Sequence, residues 1–368
     1  MELRQRILLF MVLSMTMLVH AQQIQVVDTD GNPIAYVCVT NEKGILIGST
    51  DIDGRLDDVK GSTVINLSHV AFQDKVVNMA DVSDGKIVME DVEFTLQDVE
   101  VKPKELVYVQ TYFRMIYFDD EGPIYFRGGV IDNTYELAKK KASSKTRSLS
   151  KGSSGLIRFL LSTLAGRYID RLGQIRERSI YQNIQGLADK GSLILTPEES
   201  GRVLVSDTIC NLGYIDTDME EGTRTTSFNR WVYNDHLKAA EAKAKGKESK
   251  KKKDEEKDKE DASDIESFFE VYRIDSERRS RIDDFVMRQM YVESVSSRSG
   301  SRYVILLQAY TTDRDYIDKK EYKQLRKENK VDMEINELRS FEKAHKIPAL
   351  APDVKAAVDK LFEKDLTK

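Results

Sequence analysis

"ELVYVQTYFRMIYFDDEGPIYFRGGVIDNTY", residues 105–135, reads as two strands around an acidic turn. Val, Tyr, Phe and Ile crowd both arms, and Asp119-Asp120-Glu121-Gly122 is turn chemistry. Apolar residues fall on both faces of the first arm, so each face needs a cover. A second hairpin is visible further on, in "DFVMRQMYVESVSSRSGSRYVILLQAYTT" at 284–312, with "RSGS" as its turn. Gly128 and Gly129 inside the first hairpin mark a bulge or a close approach.

Around these hairpins the sequence predicts an α+β region. The stretch 139–155, "KKKASSKTRSLSKGSSG", is rich in Ser and Lys and reads as a mobile loop. Leu156, Phe159, Leu160, Thr163, Leu164, Tyr168 and Leu172 recur at helical spacing, as a helix packed on a sheet requires. Residues 180–235 mix short strand runs with turns, and Trp231 reads as a core anchor. From 238 to 261 ten lysines alternate with eight acids and no large apolar residue occurs, so burial cannot offset the entropy of ordering. The tail is helical, and Val354, Val358 and Leu361 form the apolar stripe of its last helix, with Asp353 at the cap.

The front of the chain is different. "IQVVD", "AYVCVTN", "ILIGSTD", "TVINLSHVAF", "DKVVNM" and "GKIVME" follow at intervals of about ten residues, the pattern of an antiparallel sandwich. Two of the turns carry Asp-x-Asp-Gly, at Asp28/Asp30 and Asp51/Asp53. A calcium loop closes its shell with an acid six residues beyond that glycine. Val37 and Lys60 stand there instead, so these aspartates are expected as turn residues and not as metal ligands.

These front residues also carry a resemblance. "VVDTDGNPIAYVCV", "GSTDIDGRL", "INLSHVAF" and "FTLQDVEVKPKE" together resemble the carboxypeptidase-regulatory-like family of exported Bacteroidetes proteins. The resemblance covers residues 22–102 and implies an all-β, immunoglobulin- or transthyretin-like sandwich with no activity of its own, serving as an accessory or docking domain. Its usual context implies envelope partners, such as outer-membrane receptor or transport components.

The sequence carries no familiar catalytic kit. HExxH and GxSxG do not occur, no CxxC is formed, and His69, His236 and His345 lack an acid three residues on. No phosphate-cradling glycine loop or cofactor motif is visible. The weak catalytic candidates are Ser148 and Lys151, an SxxK spacing that would place both on one helical turn. The acidic pairs Asp119-Asp120 and Asp283-Asp284 read as a hairpin tip and a strand entry. Cys38 and Cys210 could pair in an oxidising compartment, but Cys38 in a strand pattern reads as a buried thiol.

Bulk charge adds little: 57 basic and 62 acidic residues leave −5, with no field that points to nucleic acid. A basic start, an apolar run and small residues at Val19 and Ala21 predict a signal peptide over 1–21. No later stretch is apolar enough to span a membrane, and the expected place is the periplasm or the periplasmic face of the outer membrane. The expected organisation is therefore signal peptide 1–21, sandwich 22–102, an α+β region in parts 103–237 and 263–368, and a charged insertion 238–262. The favoured function is a non-enzymatic envelope binding or structural protein. The alternatives are a periplasmic carrier of a lipid or other apolar ligand, and a hydrolase of unfamiliar type.

Overall fold

The computed structural model describes residues 24–56, 59, 61–92, 104–139, 141–153, 179–229, 265–295, 300–328 and 330–363. The expectations for 1–21, 93–103, 156–172, Trp231 and 238–262 lie outside the described residues.

Seven short strands come first: β1 (Ile24–Val27), β2 (Cys38–Asn41), β3 (Leu46–Ser49), β4 (Arg55–Leu56), β5 (Val64–His69), β6 (Phe72–Asn78) and β7 (Lys86–Val88). They pair as two sheets, ordered β4-β1-β7 and β3-β2-β5-β6. Val39 of β2 and Val37 just before it enter the core between these sheets, with Ile24, Val26, Ile65 and Leu67. The pairing is not wholly antiparallel, as the sequence pattern had suggested. β1 and β7 run parallel, because the chain crosses between the sheets after β6 through a 3-10 turn at Met79–Asp81.

The remaining strands are β8 (Leu106–Asp119), β9 (Gly122–Glu136), β10 (Lys141–Ser153), β11 (Ile194–Pro197), β12 (Val203–Ser206), β13 (Asn211–Asp218), β14 (Thr223–Asn229), β15 (Ile265–Arg273), β16 (Phe285–Val295), β17 (Arg302–Ile317) and β18 (Val331–Asp332). They join one 11-stranded sheet in the order β11-β12-β13-β14-β15-β16-β17-β8-β9-β10-β18. Both expected hairpins are present, as β8–β9 and β16–β17, and they are neighbours through an antiparallel β17–β8 pair. Strands from before and after the charged insertion thus share one sheet. The described chain is β-rich, with four helices: α1 (Ile180–Ala188), α2 (Lys319–Lys327), α3 (Ile335–Ala344) and α4 (Pro352–Glu363).

Each face of the large sheet has its own cover. On one face Phe113, Met115, Ile305, Leu307, Met290 and Phe268 form a cluster with Ile180 and Ile184 of α1. On the other face Tyr112, Ile116, Phe126, Phe269, Tyr291 and Leu306 lie beneath α3, α4 and the sandwich. Gly128 and Gly152 explain how the helices come so close: a Cβ on either would stand 2.8 Å from Leu338 or Phe362.

Residues 141–153 correct the sequence reading. They are not a loop but β10, paired with β9 from Lys141↔Glu136 to Ser153↔Tyr125. Small side chains are what this strand needs, since Ser148, Ser150 and Gly152 face the helices. Asp353 is likewise not the cap of α4. Pro352 begins that helix, and the Asp353 carboxylate receives a hydrogen bond from Asn66 Nδ2 of the sandwich at 3.3 Å.

Candidate functional site

A chain of directional bonds fixes where the sandwich sits. Gln289, Gln308 and Arg114 form one cross-strand row on β16, β17 and β8. Gln289 Oε1 accepts from the Val70 amide at 3.0 Å, and its Nε2 donates to Tyr36 O at 2.9 Å. Gln308 Nε2 donates to Gln289 Oε1 at 2.8 Å, and Arg114 Nε donates to Gln308 Oε1 at 2.7 Å. Arg114 is 1% exposed, and its Nη1 reaches Pro348 O, at 2.7 Å, in the loop between α3 and α4. Asp74 of β6 closes the circuit by accepting from the Ala351 amide at 2.7 Å. Burial raises the Asp74 carboxyl to about 6, against the lowering pull of the Arg114 guanidinium. His69 lies against Phe269 at 4.5 Å, and burial pushes its imidazole down to about 3.

Beside this seam the sandwich and the large sheet leave a cleft of about 1080 Å³. Its sandwich wall holds Asp28, Pro33, Ile34, Phe72 and Asp91. Phe269, Val271, Val286 and Met287 form an apolar floor from β15 and β16. The rim comes from Arg202, Asp216, Glu220, Glu221 and Arg273. Arg202 is held in a two-pronged pair with Asp216, at 2.9 and 2.8 Å, and lies over the Tyr214 ring at 4.3 Å. Glu220 and Glu221 are exposed at the β13–β14 turn, which Asp218 organises by accepting both their amides. Asp91 is shifted upward, first by burial and then by the charges of Asp28 and Asp30.

The Asp-x-Asp-Gly turns are built in one way. Asp28 Oδ1 accepts from the amides of Asp30 and Asn32, and Asp51 Oδ1 from those of Asp53 and Arg55. Asn41, which bears no charge, accepts from Lys43 and Ile45 in the same pattern. The common task is to hold a turn whose glycine, Gly31 or Gly54, has φ of +86° or +71°. Among the described residues no three His, Cys, Asp or Glu side chains gather as metal ligands.

The other sequence candidates are dispersed. Ser148 and Lys151 lie on a strand, where residues three apart face opposite sides. Ser148 is buried under the helices and Lys151 is exposed, so the SxxK pair is not assembled. Asp119 holds its own hairpin tip by accepting from the Glu121 and Gly122 amides. Asp283 is fully buried with Arg281 and Arg314, a structural ion cluster. Cys38 and Cys210 are both free thiols, Cys38 buried and Cys210 exposed.

Sequence reasoning missed α1 and the ion pair beneath it. Glu270 Oε2 accepts from the Ile180 amide at the start of α1, at 2.6 Å, while Oε1 pairs with Arg288. Ser179 before Ile180 and Ile184 was a legible cap signal. Over β14 and β15 that face of the sheet is occupied by α1.

Compared with known proteins, the chain matches no family model and no curated relative.

Proposed function

We propose that this chain is a non-enzymatic binding protein of the cell envelope, with its ligand site in the cleft between the sandwich and the large sheet. The sandwich then serves as a fixed wall of that site rather than a free docking module. The observation that carries this reading is the cleft itself: about 1080 Å³, walled by both parts, with an apolar floor and a charged rim. The Gln289–Gln308–Arg114 row holds the two walls at a constant spacing, which is the preorganisation a binding site benefits from. The envelope setting rests on the leader-like residues 1–21 and on the resemblance of 22–102 to carboxypeptidase-regulatory-like domains. Its partners would be envelope proteins, among them outer-membrane receptor or transport components.

Photo-crosslinking tests the reading. A benzophenone amino acid in place of Thr225, in the cleft, is compared with one at exposed Asn336 of α3. In cells making the full chain, a discrete adduct from position 225 and none from 336 is expected. Equal adducts from both positions, or none from 225, would overturn it.

A further inference from the structure

We infer that the cleft takes an extended peptide segment in which basic and apolar side chains alternate. This rests on the reading of the cleft as the ligand site and names the chemistry of its occupant. Five acidic residues line the cleft, Asp28, Asp91, Asp216, Glu220 and Glu221, against two basic ones, Arg202 and Arg273. The formal balance is −3, and Arg202 is already committed to Asp216. Glu220 and Glu221 carry no ion pair among the described residues, and they project from a turn at the mouth. A cleft with low-dielectric walls concentrates such a field and draws cations in. It repels phosphate and carboxylate headgroups for the same reason.

The floor asks for something else. Phe269, Val271, Val286 and Met287, each less than a tenth exposed, show the edges of a buried apolar cluster at the bottom of the cleft, which a simple polycation cannot use. An extended chain satisfies both demands, because its successive side chains point to opposite sides. Apolar residues then meet the floor while Lys or Arg residues meet the acids of the rim. The volume, about 1080 Å³, exceeds what most small-molecule pockets enclose and suits several residues of chain.

The test uses the full chain and a fluorescent nonapeptide of alternating lysine and valine, read by anisotropy. Saturable binding is expected, with at least a tenfold loss of affinity in the double variant Glu220→Lys, Glu221→Lys. The control is Glu42→Lys with Glu363→Lys, exposed acids away from the cleft, which changes net charge equally and leaves affinity within twofold. Equal losses in both double variants would reduce the effect to bulk charge and overturn the inference. So would stronger binding of an alternating glutamate–valine peptide, or displacement by spermine at matched charge, since the floor would then be idle. If the lysine–valine peptide fails to bind while Thr225 still crosslinks a partner in cells, the peptide chemistry is wrong and the cleft reading survives. Failure of both removes the cleft as well.

Discussion

The interior of the sandwich and the seam beneath it are held by opposite kinds of force. Ile24, Val26, Val37, Val39, Ile65 and Leu67 are buried between the two small sheets, and their cohesion is hydrophobic and without direction. The seam instead runs through Gln289, Gln308, Arg114 and Asp74, whose bonds have fixed length and angle. Apolar burial keeps a small domain folded but tolerates sliding of one surface over another. A row of directional polar bonds favours one docking position, because a shift would add to the buried atoms without a hydrogen-bond partner, which already include Arg114 Nη2 and Asp74 Oδ1. A cleft whose two walls belong to different parts of the chain needs that second kind of contact.

The largest effects should separate the two regions. Arg114→Ala strips a buried guanidinium from Gln308, Pro348 and the neighbourhood of Asp74, and should cost about 4 kcal/mol. Leu67→Ala, at a position with no exposure, should cost about 3 kcal/mol. Their hydrogen-exchange patterns should differ. Loss of Arg114 should release amides at the seam, Val70 and Ala351 first, while the β2–β5 amides stay protected. Loss of Leu67 should expose the β2–β5 amides themselves. Identical patterns would mean that the sandwich and its seam melt as one unit.

The β-rich character of residues 24–88 could be read from the sequence, and almost none of the seam. The reason is range. Val39 alternates with Cys38 and Thr40 inside β2, and the pattern is local. The β8–β9 hairpin was legible in the same way, since its turn and both arms are contiguous. Arg114 is the lone charge in the apolar run 107–118, and its acceptor Pro348 is 234 residues away. Residues 141–153 misled because Ser, Lys and Gly suit loops. Their use as a strand depends on α4 pressing Phe362 to where a Cβ of Gly152 would be. The cleft was illegible for the same cause, its walls being drawn from residues 28–92 and 202–287. Only the Asp28 turn on its edge is a matter of local chemistry, its Oδ1 accepting from the amides of Asp30 and Asn32.

A smaller effect, of order 1 kcal/mol per pH unit, should come from two seam groups with opposite signs. His69 titrates at about 3 when folded, below its ordinary 6.5, so the unfolded chain takes up the proton first. Its contribution to stability is therefore lost as pH falls from about 6.5 towards 3. Asp74 titrates at about 6 when folded, above its ordinary 3.8, so the folded chain keeps the proton longer. Its contribution is present at low pH and lost as pH rises from about 4 to 6. The two slopes oppose each other between those limits. Urea unfolding at pH 4.5, 5.5 and 6.5 should give a shallow profile for the native chain. Asp74→Asn should steepen the loss on acidification, and His69→Gln should reverse it. Profiles parallel to the native one in both variants would show that neither group titrates at the seam as its burial requires.

The smallest effect belongs to the acidic turns, and there the contrast with the seam is sharpest. Asp51 lies on the surface and accepts two amides of its own turn, so what it supplies is an oxygen in the right place. Asn41 performs the same task with an amide oxygen. Asp51→Asn should therefore change stability by less than about 0.5 kcal/mol. Asp51→Ala removes the acceptor and should cost roughly 1 kcal/mol. Millimolar calcium should leave the melting temperature of the native chain and of Asp51→Asn unchanged. A calcium-dependent rise in the native chain that Asp51→Asn abolishes would mean that the charge, and not the acceptor geometry, is what the turn retains. The seam must behave otherwise: Arg114 is buried at a point where three parts of the chain meet, and no neutral side chain offers the same donors to Gln308 and Pro348.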